Sequence, residues 1–215
     1  MRHPLLLAAA LILAPVLAGP AMAQVAAPAT ADAGDPAARA FIEKLANDAF
    51  GVLRDKSLSK AASRDRFRAM LQQNVALEDI GSRLIRRNKT TITPAQTAAY
   101  QAALPEFVLN AYADRLYDYS DASLKTLRTT ARGGMTDVAT RVTRPSSQPV
   151  DAVWQVKKNP AGKYLVNNLT VQGINLSLTQ EADFNAFIQK NGFDALVTFL
   201  KTANSKSASL RSAKS

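Results

Sequence analysis

Cysteine is absent from this chain of 215 residues, and its one histidine is His3. Without thiols, no disulfide can staple the fold and no cysteine nucleophile exists. Without an imidazole beyond residue 3, Ser-His-Asp catalysis and nearly every zinc or copper site are excluded too. What remains for chemistry is carboxylate, Lys, Tyr, Ser or Thr, or a hard cation on oxygen ligands. Long apolar runs are also missing. The nearest approach, residues 5–17, is interrupted by Pro15 and is too short for a span of about 20 residues.

That run has another reading. It follows Met1 and Arg2 and precedes Ala21-Met22-Ala23, a small-x-small cleavage pattern. Residues 1–23 are therefore expected to be a secretory signal, cleaved ahead of Gln24. Lacking Cys, the exported chain cannot carry a lipid anchor on an N-terminal cysteine and is expected to be soluble. Residues 24–34, rich in Ala, Pro and Thr, read as a flexible leader. The net charge of +10 is inflated by Arg2 and by Lys201, Lys206, Arg211 and Lys214 in an acid-free tail. Between residues 24 and 200 the surplus is only about five, ordinary for a soluble domain and modest for a nucleic-acid binder. No nucleic-acid partner is expected.

From Asp35-Pro36, an N-cap followed by proline, the pattern is helical. Phe41, Ile42, Leu45, Ala49, Phe50 and Leu53 recur at helical spacing. A second helix is expected over 59–75 and a continuation over 77–87, which Gly81 could bend. Thr93-Pro94-Ala95-Gln96 reads as a capping box opening a helix to residue 117, with Pro105 inside it as a kink. After Tyr119 the period falls to two. Strands are predicted at 124–131, 137–144, 150–157 and 163–172, joined by Gly133-Gly134, a loop over 145–149, and Asn159–Gly162. Gly173 leaves the sheet, helices follow over 179–190 and 193–201, and residues 202–215 read as a disordered basic tail. The fold class is α+β, a curved four-stranded antiparallel sheet backed by a helical half, with residues 35–201 as the domain.

Asp114, Asp118 and Asp121, and the pair Glu78-Asp79, are the carboxylate groups worth weighing. Glu78-Asp79 at a helix start suits dipole compensation, and Asp114 to Asp121 lacks calcium-loop spacing, so a structural role is expected for both groups. Arg83, Arg86, Arg87 and Lys89 form the densest basic cluster, able either to face a phosphate or to end a helix in solvent. The aromatic groups Phe107, Tyr112, Trp154, Phe184 and Phe187 sit on faces directed at the sheet–helix interface.

Three blocks resemble one family. They are Thr93-Pro94-Ala95-Gln96 with Tyr100, Phe107 and Tyr112; Val153-Trp154-Gln155-Val156 with Gly162-Lys163-Tyr164; and Val171 to Leu176 with Phe184 and Asn191-Gly192-Phe193-Asp194-Ala195-Leu196. In order and separation, from Phe41 to Lys201, they resemble the MlaC or toluene-tolerance family of periplasmic phospholipid shuttles. The resemblance implies an NTF2-like sheet closed by helices around an apolar cavity, with acyl chains inside and the phosphate near solvent. It implies no cofactor and no catalytic motif, only phospholipid as cargo. It further implies exchange with an outer-membrane lipoprotein–porin complex and with an inner-membrane ABC transporter carrying an MCE-family ring. Hopanoid-linked relatives share the fold, so another amphiphile is the alternative cargo.

Face parity then selects the expected lining. The kinked helix would supply Leu104, Phe107, Val108 and Tyr112; the sheet Val138, Val142, Trp154, Val156, Leu169 and Val171; the covering elements Ile174, Leu176, Phe184 and Ile188. The chief rival is a small enzyme with a carboxylate base on the inner sheet face, for which Asp137 or Asp151 would have to serve. A structural protein with a filled core is the other.

Overall fold

Asp35 and Pro36 open the ordered chain as their residue types dictate. In the computed structural model, which describes residues 34–116, 119–145 and 147–212 with side chains outside 112–116 and 210–212, helix α1 runs Pro36–Arg54. The Asp35 carboxylate accepts the Ala37 N–H at 2.9 Å, satisfying one of the helix's orphan donors. The expected signal and nearly all of the leader lie outside the described residues. Helix α2 spans Lys60–Asn74, capped by Ser59, and α3 spans Leu77–Leu84. A 3-10 turn follows at Arg86–Asn88, so the third helix ends earlier than its charged sequence suggests. Gly81 sits inside α3 rather than bending it. A Cβ there would meet Leu104 at 2.6 Å, so the missing side chain lets the next helix come close.

That next helix, α4, spans Pro94–Leu116 and contains Pro105. Its capping box forms as the sequence requires: the Thr93 N–H donates to Gln96 Oε1 at 2.9 Å, and the Gln96 N–H donates to Thr93 Oγ1 at 3.2 Å. Five strands follow: β1 Ser123–Arg132, β2 Met135–Arg144, β3 Ser147–Lys158, β4 Tyr164–Val171 and β5 Ile174–Asn175. They lie antiparallel in sequence order. The sheet therefore has five strands, not four. Gly173, at φ 80°, returns Ile174 and Asn175 to pair with Val171 and Thr170, a register too short to leave a periodic signature. Register shifts at Thr126/Arg128, Val142/Arg144 and Gln155/Val156 bend the strands and curve the sheet. The second of these accommodates Pro149 within β3, because a proline that cannot donate is tolerated at a bulge.

Helix α5 spans Leu176–Asn191, three residues earlier than its periodicity shows, with Asn175 Oδ1 accepting the Leu178 N–H at 3.0 Å. Helix α6 spans Phe193–Ser212, which corrects the expectation of a disordered tail from residue 202. Residues 202–212 contain neither Gly nor Pro to stop the helix. Asn204 Nδ2 also ties the extension to the Ala103 carbonyl at 2.9 Å.

Two apolar clusters hold these elements together. One joins Leu84, Ile85, Tyr100, Ala103, Leu104, Phe184, Phe193, Leu196, Val197 and Leu200 from α3 to α6. The other joins Ala38, Ile42 and Leu45 of α1 to Val138, Val156 and Val166 of the sheet. Asp35 latches the second cluster at its edge, accepting a hydrogen bond from the Tyr164 hydroxyl while Phe41 stacks on that ring at 6.0 Å. The Tyr164 hydroxyl and the Ala37 N–H pull the Asp35 pKa below its ordinary 3.8. A lowered carboxylate pKa contributes stability above the unfolded value that is lost as pH falls through the folded one. Asp35→Asn is therefore expected to melt earlier than the parent at pH 7 and together with it at pH 2, read by circular dichroism.

Candidate functional site

The bulges decide which side chains share the inner face of the sheet. Register places Leu124, Thr126 and Thr129 of β1 beside Val142, Thr140 and Val138 of β2. These in turn stand beside Val150, Ala152 and Trp154 of β3, with Val171 and Leu169 of β4 beyond. Leu127 is the residue displaced at the β1 bulge and stands 45% exposed. Helix α1 packs on this face around Val138, Val156 and Val166 and also lies over β1, where Arg39 donates to the Thr126 carbonyl at 3.4 Å. Leu124, Val142, Val150, Leu169 and Val171 are half-buried and belong to neither core cluster. They form an apolar strip that the core does not consume, and Trp154 borders it.

Trp154 is positioned with care for its polar atom. Its indole N–H donates to Thr140 Oγ1 at 2.9 Å, and the Thr140 hydroxyl donates to the Ala152 carbonyl at 3.3 Å. A buried indole nitrogen without an acceptor would be costly, so Thr140 allows a large aromatic on this face. Thr126, Thr129, Thr136 and Thr140 are all buried. The expected lining leaves out these threonines, although alternation puts Thr140 on one face with Val138 and Val142.

The expected lining residues separate into three groups. Leu104, Phe107, Val108, Phe184 and Ile188 pack together in the helical cluster, with Phe107 at 6.3 Å from the Phe184 ring and 5.9 Å from Phe199. Val138, Trp154 and Val156 gather with α1, and Val142, Leu169 and Val171 lie on the uncovered strip. Leu176 is half-buried at the start of α5, while Ile174 stands 58% exposed at the sheet edge, and the structure brings neither into a cluster. The Tyr112 side chain lies outside the described residues, as do those of Asp114 and Asp118.

The carboxylates face elsewhere. Asp151 is held by Arg141 through Nε at 2.7 Å and Nη2 at 2.8 Å, and these guanidinium hydrogen bonds lower its pKa. Asp137 pairs with Arg132 at 2.7 Å. Both lie on the face opposite Trp154 by register, so neither reaches the inner face as a general base. Asp79 pairs with Lys157 and Asp121 with Arg144. The basic cluster also divides. Arg83 turns inward, its Nη2 donating to the Asn167 carbonyl at 2.5 Å, and burial lowers its pKa. Arg86 and Arg87 turn to Glu181 of α5, and Lys89 stays exposed.

A curved sheet with an apolar strip outside the core clusters, a helical cluster beside it and Asp137 and Asp151 on the opposite face is suited to holding an apolar guest. Comparison with known proteins agrees in fold. A solved structure of a phospholipid-binding protein from Ralstonia solanacearum, in complex with a phospholipid, is similar with a TM-score of 0.67 at 20% identity. That match covers 80% of this chain and 98% of the other. The family model for MlaC protein matches residues 43–202, most of the length. This chain belongs to the MlaC protein family.

Proposed function

We propose that this protein is a non-catalytic phospholipid carrier of the periplasm, exported by residues 1–23 and loaded through the apolar strip beside Trp154. The observation that carries the reading is the match to a phospholipid-bound structure across 98% of that chain. Family membership supports it. The lining comprises the inner sheet face from Val138 and Val142 to Leu169 and Val171, with α4 and α5 closing an NTF2-like enclosure. Its partners are an outer-membrane lipoprotein–porin complex and an inner-membrane ABC transporter with an MCE-family ring.

Energetics favour such a device. Each methylene kept from water contributes roughly 0.8 kcal/mol, so two bare acyl chains in the aqueous space would cost on the order of 20 kcal/mol. A pocket as apolar as a bilayer removes that barrier and leaves the exchange with either membrane close to neutral. Native mass spectrometry of the full chain purified from a periplasmic extract, followed by lipid extraction, tests the proposal. Stoichiometric phospholipid is expected. A hopanoid in its place would shift the cargo within the same reading, and a chain that arrives empty would overturn it.

A further inference from the structure

Beside α5 lies a groove of about 410 Å³ whose lining shares no residue with the proposed lipid site. Its floor is a stripe of α5, Leu178, Ala182, Ala186 and Gln189, and its rim is Arg86 and Arg87 from the 3-10 turn. From Leu178 to Gln189 the helix rises about 16 Å. The Asn88 side chain donates to Asn185 Oδ1 at 2.7 Å, fixing the rim to the floor.

Charge and shape indicate the occupant. Arg86 and Arg87 approach one oxygen of Glu181 through their Nε atoms, at 2.8 and 3.3 Å. Glu181 is 4% exposed, whereas the arginines are 54% and 71% exposed. Two guanidiniums thus share one buried carboxylate, leaving a surplus positive charge on two exposed side chains that can pair with further carboxylates. Glu181 Oε2 is buried without a hydrogen-bond donor among the described residues, so the carboxylate is held through its other oxygen by the two arginines. Leu178 is an exposed apolar anchor at 53%, and the alanines permit close approach of a second helix axis.

We propose that this groove docks an amphipathic, acidic helix of a partner protein, whether or not the carrier reading holds. The probe is a fluorescein-labelled, alanine-based helical peptide of four turns with leucines on one face and glutamates flanking it, titrated into the full-length protein. A peptide with lysines in place of the glutamates, and vesicles rich in phosphatidylglycerol, are run beside it. Saturable binding of the acidic peptide alone is expected. Ala182→Trp, which fills the groove from an exposed position, should weaken it by about tenfold, and Arg87→Gln by up to about fivefold. Ala186→Phe serves as a second blocking variant, with circular dichroism verifying each fold. Equal binding of both peptides, indifference to the blocking variants, or no saturation by about 1 mM would overturn the proposal. So would Arg87-dependent binding of the vesicles without the peptide, which would make this a membrane-contact face.

Discussion

Leu169→Glu is expected to cut co-purifying phospholipid by about tenfold or more while the protein stays folded. Leu169 is half-buried opposite Trp154 and outside both core clusters, so removing its apolar contacts need not disturb either. In a loaded protein its carboxylate would lie against acyl chains. Burying an unpaired carboxylate costs several kcal/mol, and each 1.4 kcal/mol is a factor of ten in affinity. Lipid per mole of protein is the readout, with the thermal transition confirming the fold. Thr143→Glu, exposed on the other face beside Val142, is the matched control and should retain lipid. Undiminished lipid in Leu169→Glu would move the site off the inner face of the sheet.

Tyr100→Ala should lower the unfolding free energy by about 4 kcal/mol, a large share of a typical domain's stability. Tyr100 is fully buried, set edge-on to Phe184 at 6.4 Å and tilted against Phe193 at 5.8 Å. It therefore joins α4, α5 and α6 in one contact, so its removal leaves a cavity where three helices meet. Its hydroxyl donates to the Gly81 carbonyl at 3.1 Å, and burial raises the phenol pKa, keeping the donor proton in place. Tyr100→Phe should cost about 1 kcal/mol by leaving that carbonyl without its donor. Urea unfolding separates the two, with the midpoint moving and the slope held. A Tyr100→Ala protein within about 1 kcal/mol of its parent would contradict the packing described for this cluster.

Local chemistry was the legible part of this sequence. Asp35, Ser59 and the Thr93–Gln96 box mark helix starts because their side chains must satisfy backbone donors. Gly133 and Gly134, at φ 52° and 78°, mark the hairpin because other residues resist that conformation. The alternation through Val150, Ala152, Trp154 and Val156 gave the correct face of β3. What escaped detection depends on contacts distant in sequence. Thr126 and Thr129 share a face only because Leu127 is extruded at a bulge. The extended α6 depends partly on Asn204 reaching Ala103. At the candidate site, parity identified an apolar face but could not divide it. Phe107 and Phe184 belong with the helices, Val138 and Val156 with α1, and only part of the sheet is left uncovered. That division follows from where α1 lies across the strands, which no periodicity encodes.

Trp154 has a further consequence, a photophysical one. It is the only tryptophan in the chain, it borders the strip proposed to receive lipid, and its N–H is already satisfied by Thr140. Its emission therefore arises from one defined place, in an indole whose ground-state hydrogen bond does not depend on solvent. Changes in colour or quenching would report the polarity of the adjoining space. With lipid in that strip, as proposed, the indole would serve as an optical gauge of occupancy, readable in real time without a label.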